Sequence, residues 1–157
     1  EPTITPIPEP TPLPASTTNV MVPIIENKQV DVYCGKGRKK LRGKPGITNF
    51  IFDKSEKFIR KNADHIIKFN RKEDDSIHLD QELYGLSDDW RFAKTRSKRR
   101  LNKLAKSDVD LIYFQKKGFL YLNGNGEDRG FGNRTEGGLL AILKGKPSLG
   151  AADIQLI

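Results

Sequence analysis

A mainly β domain with one short α-helix is the fold class predicted for residues 30–157, and three observations carry that expectation. Apolar residues come in short runs broken by glycine and charged turns, the pattern of strands rather than long helices. Only one stretch spaces its apolar residues at helical intervals. Seven of the nine prolines (Pro2, Pro6, Pro8, Pro10, Pro12, Pro14 and Pro23) crowd into the front of the chain, leaving the rest free to pair.

That front, residues 1–29, reads as a linker. Proline at alternate positions from Pro6 to Pro14 removes backbone donors and favours extended polyproline II, which cannot pack as a core element. Strands are predicted at 30–33, 47–52, 65–69, 76–79, 110–114, 119–122, 139–143 and 154–157. Between the fourth and fifth, Leu101, Leu104 and Ala105 fall at i, i+3 and i+4 behind Ser97, a good N-cap, so a short amphipathic helix is expected from Ser97 to Lys106. The turn Gln115-Lys116-Lys117-Gly118 separates two apolar runs, and its glycine can supply the positive φ that closes an antiparallel hairpin. After it, Asn123 to Asp128 form a polar, glycine-rich loop.

The chain has 157 residues, 36% of them hydrophobic, enough for one ordinary core. Because Glu1 comes first, with no basic and apolar leader behind it, the chain is expected to be a piece of a longer polypeptide. No apolar run approaches the roughly eighteen residues a spanning helix needs. The single cysteine, Cys34, cannot form an internal disulfide. A net charge of +8 points to anionic partners as a class: nucleic acid, anionic polysaccharide or lipid headgroups. A dense basic segment holds Arg96, Lys98, Arg99, Arg100, Lys103 and Lys106, the candidate polyanion-binding residues. Only Trp90 and Phe92 lie near enough in sequence to stack on bases, so nucleic acid ranks below a solvated basic face and below an envelope polymer. No nucleophile with a base, carboxylate pair or metal cluster stands out, and the chain is expected not to be an enzyme. His65 and His78 alternate with apolar residues in predicted strands, Cys34 lies among glycines, and Glu73-Asp74-Asp75 reads as a solvated acidic turn.

The glycine spacing resembles the RTX nonapeptide G-G-x-G-x-D-x-U-x, in which glycines turn the chain, aspartate binds calcium and the apolar U fills a roll. On that template Cys34, Gly35 and Gly37 take glycine places, Lys39 the aspartate place and Leu41 the apolar place. In the next repeat the corresponding residues are Gly43, Lys44, Gly46, Thr48 and Phe50. Downstream, Asp64-His65-Ile66-Ile67-Lys68-Phe69 and Asp75-Ser76-Ile77-His78-Leu79 are similar to the segment that follows the repeats in serralysin-like RTX proteins. The later runs are similar to their terminal segment, above all to the bluetail-type C-terminal domain of cyanobacterial surface proteins. The resemblance implies a degenerate β-roll turn leading into a β-sandwich-like domain. It also implies a secreted or cell-surface location, upstream domains in the same polypeptide, and export by a type I secretion apparatus. Asp153 followed by Ile154, Leu156 and Ile157 fits the acidic-then-apolar ending of such proteins, with Gln155 interrupting.

Two departures stand beside the resemblance: this chain is basic, and both calcium aspartates of the template are replaced. Calcium needs about six to eight oxygen ligands, several anionic, and Lys39 offers an ammonium instead. The remaining candidate calcium ligands are Asp64, Asp75, Asn123, Asn125 and Asp128, with Glu127 beside the last. The plainer reading of the 123–128 loop, which its sixth-position Asp128 favours over an EF-hand glycine, is a turn capped by asparagine side chains. Folding is therefore expected to be largely independent of calcium. Since a ligand at a hundredfold excess over Kd stabilises by about 2.7 kcal/mol, melting in chelator and in millimolar calcium should give the same midpoint.

Overall fold

The computed structural model describes residues 2–3, 6, 8–12 and 28–157. The expected linker thus lies for the most part outside the described residues; those before position 28 that are described are exposed and in no regular element. Ten strands follow: β1 Gln29–Tyr33, β2 Lys40–Arg42, β3 Ile47–Phe52, β4 Asp64–Ile67, β5 Ser76–Leu79, β6 Phe92–Thr95, β7 Leu111–Phe114, β8 Phe119–Leu122, β9 Gly138–Leu143 and β10 Ile154–Leu156. One helix, α1, covers Lys98–Leu104, with Ser97 Oγ accepting from the Arg100 amide as the expected N-cap.

The first five strands wind alternately between two sheets. β1, β3 and β5 pair in parallel in one sheet, β2 and β4 in parallel in the other, which is the course of a β-roll. β10 then adds to β5 and β9 to β4, both in parallel. The second sheet is completed by antiparallel β8 and β7 and by β6, parallel to β7. The sheet orders are β1-β3-β5-β10 and β2-β4-β9-β8-β7-β6. A β-roll turn leading into a mainly β, sandwich-like domain is the architecture the chain adopts.

Alternation along the strands builds the core. Phe50, Phe52, Ile77 and Leu79 of the first sheet join Leu41, Ile66, Leu111, Tyr113, Leu120 and Leu143 of the second in one cluster. Outside the second sheet, α1 lays Leu101 over Ile112 and Phe114. A bulge opposite Leu120 and Tyr121 lets Leu140 and Ala141 both join the main core, so that Leu139 and Ile142 share the outer face with Phe119 and Tyr121.

Two strands escaped prediction, β2 and β6. Lys40–Arg42 has one buried residue, Leu41, and Phe92–Thr95 has one, Thr95. Neither alternates strongly enough to be read alone, and both exist because β4 and β7 supply a parallel ladder beside them. The acidic turn also needs correction. Asp75 is 2% exposed and fully engaged, whereas a solvated turn was expected.

Gly118 closes the β7–β8 hairpin at φ +70°, and a Cβ there would lie 2.2 Å from the Leu143 carbonyl oxygen. Gly145 has φ +83° with nothing within 4 Å. Gly118→Ala should therefore cost about 2–4 kcal/mol, from left-handed strain plus a displaced ladder, and Gly145→Ala only about 1 kcal/mol. Denaturant unfolding of the two variants measures the difference.

Candidate functional site

The two residues in the template's aspartate places, Lys39 and Thr48, have corresponding partners. The Lys39 amide donates to Asp64 Oδ1 at 2.6 Å, and the Thr48 amide donates to Asp75 Oδ1 at 2.8 Å. The carboxylate in each case comes from the next coil of the same sheet, one ladder step before the pairs Lys40–His65 and Asn49–Ser76. Asp75 Oδ2 also accepts from the Asn70 amide at 2.8 Å. Gly37 extends the pattern, its amide reaching both oxygens of Glu56 at 2.9 Å. Burial beside Cys34, Phe58, Tyr84 and Leu140, with Glu56 adding repulsion, pushes Asp64 up to about 6 against the hydrogen bond that favours its charge. Burial raises Asp75 and the Cys34 thiol as well.

Asn123, Asn125 and Asp128 share the loop after β8, apart from both aspartates in sequence and element. Asn123 is 5% exposed, and its Nδ2 donates to the carbonyls of Ser107, Val109 and Gly126 at 2.9–3.0 Å. Asn125 Nδ2 donates to the Arg129 carbonyl at 3.2 Å, while Asp128 is exposed. The Oδ1 atoms of Asn123 and Asn125 are buried without a hydrogen-bond donor. They are the acceptor atoms a cation would use in this loop. Among the described residues no three His, Cys, Asp or Glu side chains gather at one point.

The first sheet carries a polar ladder that the sequence did not announce. Asn49 Nδ2 donates to Asp31 Oδ1 at 2.8 Å, Ser76 Oγ donates to Asn49 Oδ1 at 3.0 Å, and Ser76 Oγ lies 2.8 Å from His78 Nε2. Asp31, Asn49 and Ser76 are direct cross-strand neighbours, which accounts for the chain of contacts. A serine that gives its proton to Asn49 receives one from His78, so the imidazole faces it as a donor rather than as a base. Burial pulls His78 below its ordinary range.

The candidate polyanion residues Arg96, Lys98, Arg99, Arg100, Lys103 and Lys106 are all exposed on or beside α1, whose inner side is taken by Leu101. A second basic feature went unpredicted: a concavity of about 390 Å³ between β4, β9 and the β7–β8 turn, rimmed by Arg38, Arg60, Lys117, Lys144 and Lys146. Its floor is a cross-strand row, His65, Ile142 and Phe119. Burial first, and then the charges of Lys144, Arg38, Lys40 and Arg60, hold His65 below its ordinary range. Arg38 comes from the basic run 36–44, Arg60, Lys117 and the pair Lys144 and Lys146 from segments far along the chain, and no single local motif joins them.

No family model, curated protein or solved structure matches the chain.

Asp64 yields a pH prediction. With its folded pKa near 6 against 3.8 ordinarily, the folded state holds more protons than the unfolded one between these values, so ionising Asp64 weakens the fold as pH rises through that window. Asp64→Asn keeps an acceptor for the Lys39 amide and removes the titration. Its stability relative to the parent should be greater at pH 7 than at pH 4, measured by thermal melts at both.

Proposed function

We propose that residues 28–157 form the non-catalytic terminal module of a longer secreted or cell-surface polypeptide of the RTX kind. The module closes one end of a parallel β-roll, presents the domains upstream, and carries the segment read by a type I secretion apparatus. The observation behind this reading is that the roll's first coil lies at the edge of both sheets. β1 and β2, the two strands of the first coil, are each outermost in their sheet, with one strand partner apiece among the described residues. At the other side, β10 and β9 from the C-terminal half occupy the edges of β5 and β4. An uncovered parallel edge is a template for another strand, and further coils of the same winding are the cheapest occupant.

Asp153 supports a structural place for the last segment. It takes an ion pair from Arg71 at 2.8 Å and a hydrogen bond from the Gly150 amide at 2.7 Å, which sets up β10 beside β5. The module's lack of a sequence constellation for catalysis agrees with a presenting role.

Fusion of residues 28–157 behind an array of consensus RTX nonapeptides tests the reading. Array and module should melt in one transition, several degrees above the array alone, and a passenger carrying the module should reach the medium of cells equipped with a type I exporter. Removal of residues 153–157 should abolish that release. An array that melts at the same temperature with and without the module overturns the capping role; a passenger retained inside the cells overturns the export role.

A further inference from the structure

We propose that the concavity on the outer face of the second sheet is a binding site for the sulfate or carboxylate groups of an acidic polysaccharide, a role independent of whether the module caps an upstream roll. Arg38, Arg60, Lys117, Lys144 and Lys146 converge on one space of about 390 Å³, inside the ~300–1,000 Å³ range of ligand sites. Among the described residues, no acidic side chain lines it. The ion pairs among the described residues are Arg71–Asp153 and Arg91–Asp108, so none of the five rim cations has a carboxylate within 4 Å there. Gathering like charges without counterions raises the energy of the empty site, and a bound anion relieves it.

The rim is also arranged in advance. Arg60 and Lys117 lie over the Phe119 ring at 5.9 and 5.8 Å from its centroid, which restrains two otherwise long and mobile cations. Lys146 holds a left-handed backbone at φ +53°, a position where glycine would cost less, in the turn hydrogen-bonded back to Leu143.

A polysaccharide is favoured over nucleic acid because the pocket holds a single aromatic ring, Phe119, where single-strand binding stacks successive bases on several. It is favoured over a membrane because the exposed large apolar residues among those described, Tyr33, Leu83 and Ile157, lie outside the pocket. A concave space with an apolar floor fits a single sugar ring bearing anionic substituents.

Titration calorimetry with a heparin oligosaccharide, polygalacturonate oligomers and a short DNA duplex tests the site on the parent and three variants. These are Lys117→Gln/Lys144→Gln, Lys146→Gly, and the helix triple Arg99→Gln/Arg100→Gln/Lys103→Gln. At least one saccharide should bind the parent with a unit stoichiometry, and both pocket variants should weaken it about tenfold or more, with the helix triple within about threefold of the parent. Lys146→Gly should melt at or above the parent's midpoint, which separates lost binding from lost folding. No saccharide binding, pocket variants within threefold of the parent, an equal loss in the helix triple, or tighter binding of the duplex than of either saccharide would each overturn the proposal.

Discussion

Parallel coils leave backbone amides at their turns that no strand satisfies, and in this protein carboxylates, Asp64 and Asp75 of them buried, satisfy such amides at Gly37, Lys39 and Thr48. Asp64 accepts from Lys39, Asp75 from both Thr48 and Asn70, and Glu56 from Gly37. An unpaired buried amide costs about 1–3 kcal/mol, so each bond settles whether the next coil can lie flat on the last. Asp64 and Asp75 are raised in pKa because they are buried, and retained because the amides need them. The carboxylate of one coil meets the amide of the previous one directly. Two strand ladders, β2–β4 and β3–β5, begin immediately after these bonds.

From that winding the rest of the molecule is closed by the C-terminal half. β9 and β10 extend the two sheets, and the bulge in β9 divides its apolar residues between the central core and the outer face. The outer residues would be a liability if left bare. α1 covers the part over β7, and the part over β9 and β8 forms the floor of the cationic concavity. One local irregularity thus shapes both the core and the pocket.

The strands at 47–52, 76–79 and 119–122 were legible to the residue, because each has apolar residues in a short run with clear breakers on both sides. The Ser97 cap and the Gly118 turn were legible because their chemistry is local. β2 and β6 were not, since their stability comes from the neighbouring ladder rather than from their own side chains. The basic residues of α1 were visible because they are contiguous. Those of the pocket were invisible because Arg38, Arg60, Lys117 and Lys144 come from separate connections, and only the register Lys40, His65, Ile142, Phe119 brings them to one face.

The amino-acid sequence by itself determined the fold class, most of the strands, the Ser97 cap and the Gly118 turn, which depend on neighbours a few positions away, and the sign of the charge. The tertiary structure decided what the carboxylates do and where the charge is concentrated. Asp75 read as a solvated turn residue and became a buried acceptor, since parallel pairing sets it opposite Thr48, 27 positions distant. Charge density along a chain and charge density in space are different quantities, and the winding of a roll, which stacks distant segments a strand's width apart, is what converts one into the other.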